Sequence, residues 1–192
     1  MPDITKTGDR LGSVLGASHG AIDHAKIIGR FIAVCRDKDG HELWSEEFDN
    51  LLTTVGKNFL LDQALAGSAY TATEYMGLIS SSSYSTVAAS DTMTSHGGWL
   101  EAGSANAPTY SGNRDTCVWS AASAGVKALS AGLVFTFTGS GTVQGAFIVG
   151  GSGASNAVGN TGGTLYSAGA LGTPQPVIST NTLTLSYSTT LT

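Results

Sequence analysis

Residues 133–149, LVFTFTGSGTVQGAFIV, carry the clearest structural signal in the chain. From Leu133 to Thr138, large apolar side chains alternate with threonine or valine, and apolar residues resume at Val143 after Gly139-Ser140-Gly141. Alternation with a period of two predicts a strand with one buried face. A short glycine-rich connection between two such runs predicts a β-hairpin. This stretch therefore predicts two antiparallel strands that pair with each other.

Residues 30–48 predict another hairpin. From Phe31 to Cys35 the odd positions face one side and the even positions the other, and all are apolar, which predicts a central strand. Asp37-Lys38-Asp39-Gly40 supplies the turn, because glycine adopts positive φ without strain. A last alternating run covers residues 182–191. Short strands at these intervals predict a mainly β fold, an antiparallel β-sandwich or jelly-roll-like domain over residues 30–192.

One short helix is predicted at about residues 53–66. Apolar residues recur there at helical spacing, namely Val55, Phe59, Leu60 and Leu65. Asn50 is the candidate cap before the helix, and Gly67 is the residue at which it ends. Gly56 inside the helix costs about 1 kcal/mol relative to alanine. We therefore expect the helix to lie on a surface of the domain.

Residues 1–29 differ from the rest of the chain and predict an extended N-terminal arm. Glycines interrupt this segment, and its aliphatic residues follow no sustained period, so it cannot form a core of its own. Such a segment is either a free terminus or an arm that a partner orders, and the scattered aliphatic residues favour the arm. The residues that we expect to bind the partner are Leu11, Val14, Leu15, Ile22, Ile27 and Ile28.

Charge is distributed unevenly along the chain. Residues 1–62 hold seven of the nine basic and ten of the fourteen acidic residues, whereas residues 128–192 hold none. Strands that face water are normally protected by charged side chains. One interpretation is an ordinary neutral surface. The other is that other subunits cover this part of the chain, which predicts a defined oligomer of this protein.

Several classes of function find no support. The formal net charge of −5 gives no electrostatic reason to expect binding to nucleic acid or to an anionic membrane. No apolar stretch approaches the roughly 18 residues of a membrane span, and the first 30 residues contain no signal-peptide core. Glycine-rich residues 139–163 lack the Gly-Lys-Ser/Thr of a phosphate-binding loop.

No catalytic, cofactor or metal site emerges from the residues. Cys35 and Cys117 lie in predicted strands, where we expect buried free thiols. The pattern Asp37-x-Asp39-Gly40-x-Glu42 resembles the opening of a calcium loop but lacks its twelve-residue spacing, so we interpret it as a turn. Asp91 and Glu101 could in principle form a glycosidase pair, but nothing distinguishes them from other carboxylates. The loop tyrosines, which are Tyr70, Tyr84, Tyr110 and Tyr166, are too dispersed to define a sugar site.

A resemblance to a known family adds a more specific expectation. Residues 39–62, DGHELWSEEFDNLLTTVGKNFLLD, resemble a stretch that recurs in virion structural proteins of tailed bacteriophages, in which an Asp-Gly hairpin leads through an asparagine to a short helix. Residues 88–101 and the strands around Phe135 and Leu185 are similar in pattern. The resemblance spans roughly residues 30–192 and is best for capsid decoration, or cement, proteins.

The resemblance implies a function in the virion. Decoration proteins are small β-sandwiches, often dimers or trimers, that bind the assembled capsid and join neighbouring major capsid subunits. It implies synthesis in the cytoplasm of a bacterial host, a final location on the capsid surface, and no enzymatic activity or cofactor. The alternatives are a tail, collar or fibre component, or a carbohydrate-binding module on the particle surface.

Overall fold

The computed structural model describes residues 25–65 and 73–192. Most of the predicted arm, including Leu11, Val14, Leu15 and Ile22, therefore lies outside the described residues. The strands are β1 (Ile27–Arg36), β2 (Glu42–Asp49), β3 (Leu51–Leu52), β4 (Tyr75–Ser80), β5 (Leu100–Glu101), β6 (Asp115–Thr116), β7 (Val126–Ala128), β8 (Leu133–Thr136), β9 (Gly141–Gly150), β10 (Thr164–Val177) and β11 (Thr182–Leu191). The helix α1 (Thr54–Leu65) lies between β3 and β4.

The strands form two sheets that pack against each other, and every pairing between strands is antiparallel. The first sheet has the order β2-β1-β11-β7, with β8 also paired to β11. The second sheet has the order β3-β10-β9-β4-β5, with β6 paired to β4. The predicted antiparallel β-sandwich is confirmed, with one helix in the part of the chain that the structure describes.

The hairpin of β1 and β2 is confirmed, as is the central position of β1. Gly40 in the turn has φ of 86°, and Phe31 lies opposite Phe48 with ring centroids 5.1 Å apart. β1 pairs with β2 on one side and β11 on the other. Its two faces differ, however, because Phe31 is buried between the sheets whereas Ile32 is 39% exposed.

The predicted hairpin at residues 133–149 is wrong. β8 pairs with β11 in the first sheet, whereas β9 pairs with β10 and β4 in the second. The chain crosses between the sheets at Gly139–Gly141, and the backbone N–H groups of Thr138 and Gly139 donate to Thr109 instead of closing a hairpin turn. Gly141 lies so close to Pro108 that a Cβ would come within 2.7 Å of its nitrogen. The glycines thus permit close packing at this crossing.

The core has two parts. Between the sheets, Phe31, Phe135 and Leu183 of the first sheet meet Met76 and Ile148 of the second. On the other side of the second sheet, a smaller cluster joins residues from β4, β9 and β10 to the loop before β5, namely Ile79, Met93, Trp99, Phe147, Val149, Leu165 and Ala168. β9 is consequently buried on both faces from Val143 to Gly150. The chain itself therefore accounts for the lack of charge in β9, without any partner.

The helix lies where it was predicted, but its cap is a different residue. The Thr53 hydroxyl accepts the N–H of Gly56 at 3.0 Å and so caps α1, whereas Asn50 accepts the N–H of Gly29 and donates to Tyr187. A Cβ on Gly56 would lie 2.1 Å from the carbonyl oxygen of Tyr166. Gly56 thus lets α1 approach β10 closely. The strand β10 provides the surface on which the helix was expected to lie.

Candidate binding surfaces

The first candidate surface is the side of the first sheet that faces away from the core. Because alternate residues of β11 point inward, its Thr184 and Ser186 point outward and are half-buried. They lie beside Val34 and Ile32 of β1, and Thr184 also lies opposite Val134 of β8. We name these five residues the outer face. Val134 is 53% exposed, so aliphatic side chains are open to solvent here in a single chain.

Charged residues of β1 and β2 border the outer face. Arg30 forms ion pairs with Glu47 and Asp49, both at 3.3 Å, and Arg36 forms one with Glu42 at 3.7 Å. These side chains are exposed, so the pairs contribute little to stability. The outer face is thus a neutral surface of aliphatic and hydroxyl side chains, and the charged residues lie at its margin.

The second candidate surface is a groove at one end of the sandwich. Phe59 and Leu60 of α1, Trp119 and Tyr166 form much of a cleft of about 440 Å³. It continues into a second cleft of about 260 Å³, which extends to Ile27. The two clefts share Leu60, Lys127, Tyr166 and Thr189. We name the combined feature the α1 groove.

The elements of both sheets position the side chains of the α1 groove. The Trp119 indole donates to Glu74 at 3.2 Å and packs edge-on against Tyr187, with ring centroids 6.0 Å apart. Burial raises the pKa of the Tyr166 hydroxyl above its ordinary value. The outward side of α1 adds further apolar surface, since Leu61 and Leu65 are exposed, Leu65 by 82%.

Of the residues predicted to bind a partner, the structure describes two. Ile27 and Ile28 belong to β1, opposite Leu191 and Thr190 of β11, so the β domain begins earlier than the predicted boundary at residue 30. Ile27 lines the α1 groove, whereas Ile28 lies against a separate shallow cleft with Arg30. The other four predicted residues lie outside the described part of the chain.

The carboxylates weighed as a glycosidase pair both make structural contacts. Asp91 accepts the Trp99 indole N–H and the Ala88 backbone N–H, each at 2.9 Å. Glu101 accepts two N–H groups of Arg114, at 2.7 and 2.8 Å. Each carboxylate therefore has specific partners that account for its burial. Arg114 was not singled out from the sequence, although it is the only arginine after Arg36.

The structure also describes the two cysteines, the turn at Asp37 and the ring of Tyr110. Both cysteines are buried free thiols, as predicted, and burial raises the pKa of Cys35 to about 11. The Asp37 carboxylate accepts the backbone N–H groups of Asp39 and His41, as expected of a turn. Tyr110 is only 7% exposed, so it offers no free ring face to a sugar.

In residues 25–65 and 73–192, no helix is both long and apolar enough to cross a membrane. Comparisons of the chain with models of protein families, with curated proteins and with solved structures found no match.

Proposed function

We propose that this protein is a structural component of a tailed-bacteriophage virion that binds the assembled capsid and bridges neighbouring major capsid subunits. The observation that carries the proposal is the outer face, where Ile32 and Val134 stand exposed among hydroxyl side chains. A surface without charge can be covered by a partner at low desolvation cost, because no ionic group must leave water. The resemblance of residues 39–62 to phage virion proteins supplies the class of partner.

Bridging stabilises a shell through linkage. A protein that binds the assembled lattice, and not free subunits, shifts the equilibrium toward the lattice by mass action. Many weak contacts on one particle act together through avidity, so a single outer face need not bind tightly. Two or three copies of the chain in one oligomer would multiply this effect.

A pair of charge substitutions tests the proposal. We expect Ile32→Glu with Val134→Glu to weaken binding to purified shells by about tenfold or more, since an uncompensated charge in an interface costs several kcal/mol and 1.4 kcal/mol is tenfold. Thr173→Glu with Ser152→Glu is the matched control, because both residues are exposed in the second sheet or its β9–β10 loop, away from the outer face. Co-sedimentation with shells measures binding. Equal retention of all the proteins would contradict a role for the outer face.

Copy number separates this proposal from its alternatives. A shell protein is present in hundreds of copies in each particle, whereas a tail, collar or fibre part is present in few. Quantitative mass spectrometry of purified particles measures that number directly. A low number would favour the tail alternatives, and binding of the isolated protein to glycans would favour a carbohydrate-binding module.

A further inference from the structure

The α1 groove is an open apolar surface at the point where the described chain begins. Trp119, Tyr166 and Leu60 line it, and Ile27 lies at its end. Lys26 and Thr192 exchange two backbone hydrogen bonds, of 2.7 and 2.9 Å, which hold the start of the described chain at this place. Whatever precedes residue 25 therefore leaves the domain beside the groove.

The chain before residue 25 has the composition to fill an apolar groove. Leu11, Val14, Leu15 and Ile22 supply large aliphatic side chains. Three acidic and two basic residues leave residues 1–24 with a net charge near −1, from Asp3, Asp9, Asp23, Lys6 and Arg10. The groove itself carries one residue of each sign, Glu74 and Lys127. Charge therefore does not oppose contact between the segment and the groove.

We propose that the α1 groove binds the aliphatic side chains of residues 1–24 of the same chain when the protein is free in solution. Ile22 precedes Ile27 by five residues, a span of at most about 18 Å, and Leu15 precedes it by twelve residues, at most about 43 Å. Both side chains can therefore reach the groove from their own attachment point. A short tether gives such a segment a millimolar effective concentration, which favours it over the same segment of a second copy.

Trp119 provides the reporter for a test. Trp99 is only 1% exposed, so Trp44 and Trp119 are the tryptophans that a quencher can reach. A full-length protein that carries Trp44→Phe leaves Trp119 as the accessible fluorophore. In this background we compare a groove variant, L11S/V14S/L15S/I22S, with a matched control that changes four polar residues of the same segment, T5S/T7S/S13A/S18A.

We expect the groove variant to raise the acrylamide quenching constant of Trp119 by about twofold and to shift its emission to the red, because water and quencher then enter the groove. The control should match the unsubstituted background. A free peptide of residues 1–24, added to the groove variant at millimolar concentration, should restore the lower quenching constant. Circular dichroism and the urea midpoint show whether the variant is folded.

Two results would overturn the inference. Equal quenching in the groove variant and the control would mean that these side chains do not cover Trp119. Protection of Trp119 that grows with protein concentration, together with a dimer mass by light scattering, would mean that a second copy supplies the segment. The experiment contains no shells, so its outcome is independent of the proposed virion function.

Discussion

Replacing Arg114 with methionine should destabilise the protein more than any surface substitution. Arg114 is 2% exposed and donates to both carboxylate oxygens of Glu101, at 2.7 and 2.8 Å. Two further N–H groups donate to the carbonyls of Ser155 at 3.0 Å and Asn160 at 2.7 Å. The ion pair thereby holds the loop between β9 and β10 against the sheet, and Gly159 of that loop also donates to Glu101.

The size of the effect follows from burial. Removal of one partner from a buried ion pair costs about 3–5 kcal/mol, because the other charge stays buried without compensation. For a domain of this size, each kcal/mol lowers the melting temperature by roughly 2–4 °C, so we expect a loss of roughly 6–20 °C. Urea unfolding measures the free energy, and hydrogen exchange in residues 151–163 reports on the loop.

Two further variants make the prediction specific to the ion pair. Arg114→Lys keeps the charge but loses the bidentate hydrogen bonding to the Glu101 carboxylate, so its destabilisation should be intermediate. Arg114→Met with Glu101→Leu removes both charges and should be less destabilised than the sum of the single substitutions. A loss below about 1 kcal/mol for Arg114→Met alone would refute the reasoning that the buried pair and the loop depend on each other.

Three other predictions follow from single contacts. Gly56→Ala should destabilise by about 1–3 kcal/mol in urea unfolding despite its better helix propensity, because its Cβ would meet the Tyr166 carbonyl, whereas Asn58→Ala at an exposed helix position should not. Cys35 should stay unreactive toward a thiol reagent at pH 8 until denaturant is added, since burial raises its pKa to about 11 and so disfavours the thiolate. The hydrogen bond from the His41 side chain lowers the pKa of Asp37, so any linked stabilisation is present above the usual aspartate pKa and is lost as pH falls through the lowered value. His41→Ala should raise that pKa in an NMR titration, and an unchanged value would contradict the assignment.

Residues 133–149 show where sequence reasoning succeeds and where it stops. The alternation correctly predicted that Phe135 and Phe137 face the core, since both are 1% exposed. It was wrong about pairing, because a buried face does not reveal which neighbour supplies the backbone hydrogen bonds. The Gly139–Gly141 connection is compatible with a hairpin turn and with a crossing between sheets, and only the contact with Pro108 and Thr109 decides between them.

The candidate surfaces were likewise predicted only in part from the sequence. The lack of charge in residues 128–192 predicted a neutral surface, but β9 lacks charge because it is buried inside the chain, and only part of β8 and β11 contributes to the outer face. No spacing in the sequence indicated the α1 groove. Its wall combines residues from Phe59 to Thr189, and such long-range proximity depends on how the sheets pack.

By itself, the sequence determined the class of fold, the strands β1, β2, β8, β9 and β11, the place of the helix and the burial of both cysteines, whereas β10, the longest strand, was not predicted. Each of these depends on the local period of apolar side chains or on the conformational preference of a turn residue, and both are local properties of the chain. The tertiary structure alone decided that β8 and β9 belong to different sheets, that Thr53 caps the helix, and that Arg114 pairs with Glu101. Those choices depend on which distant groups meet after folding, since a buried donor must find its acceptor wherever packing places it.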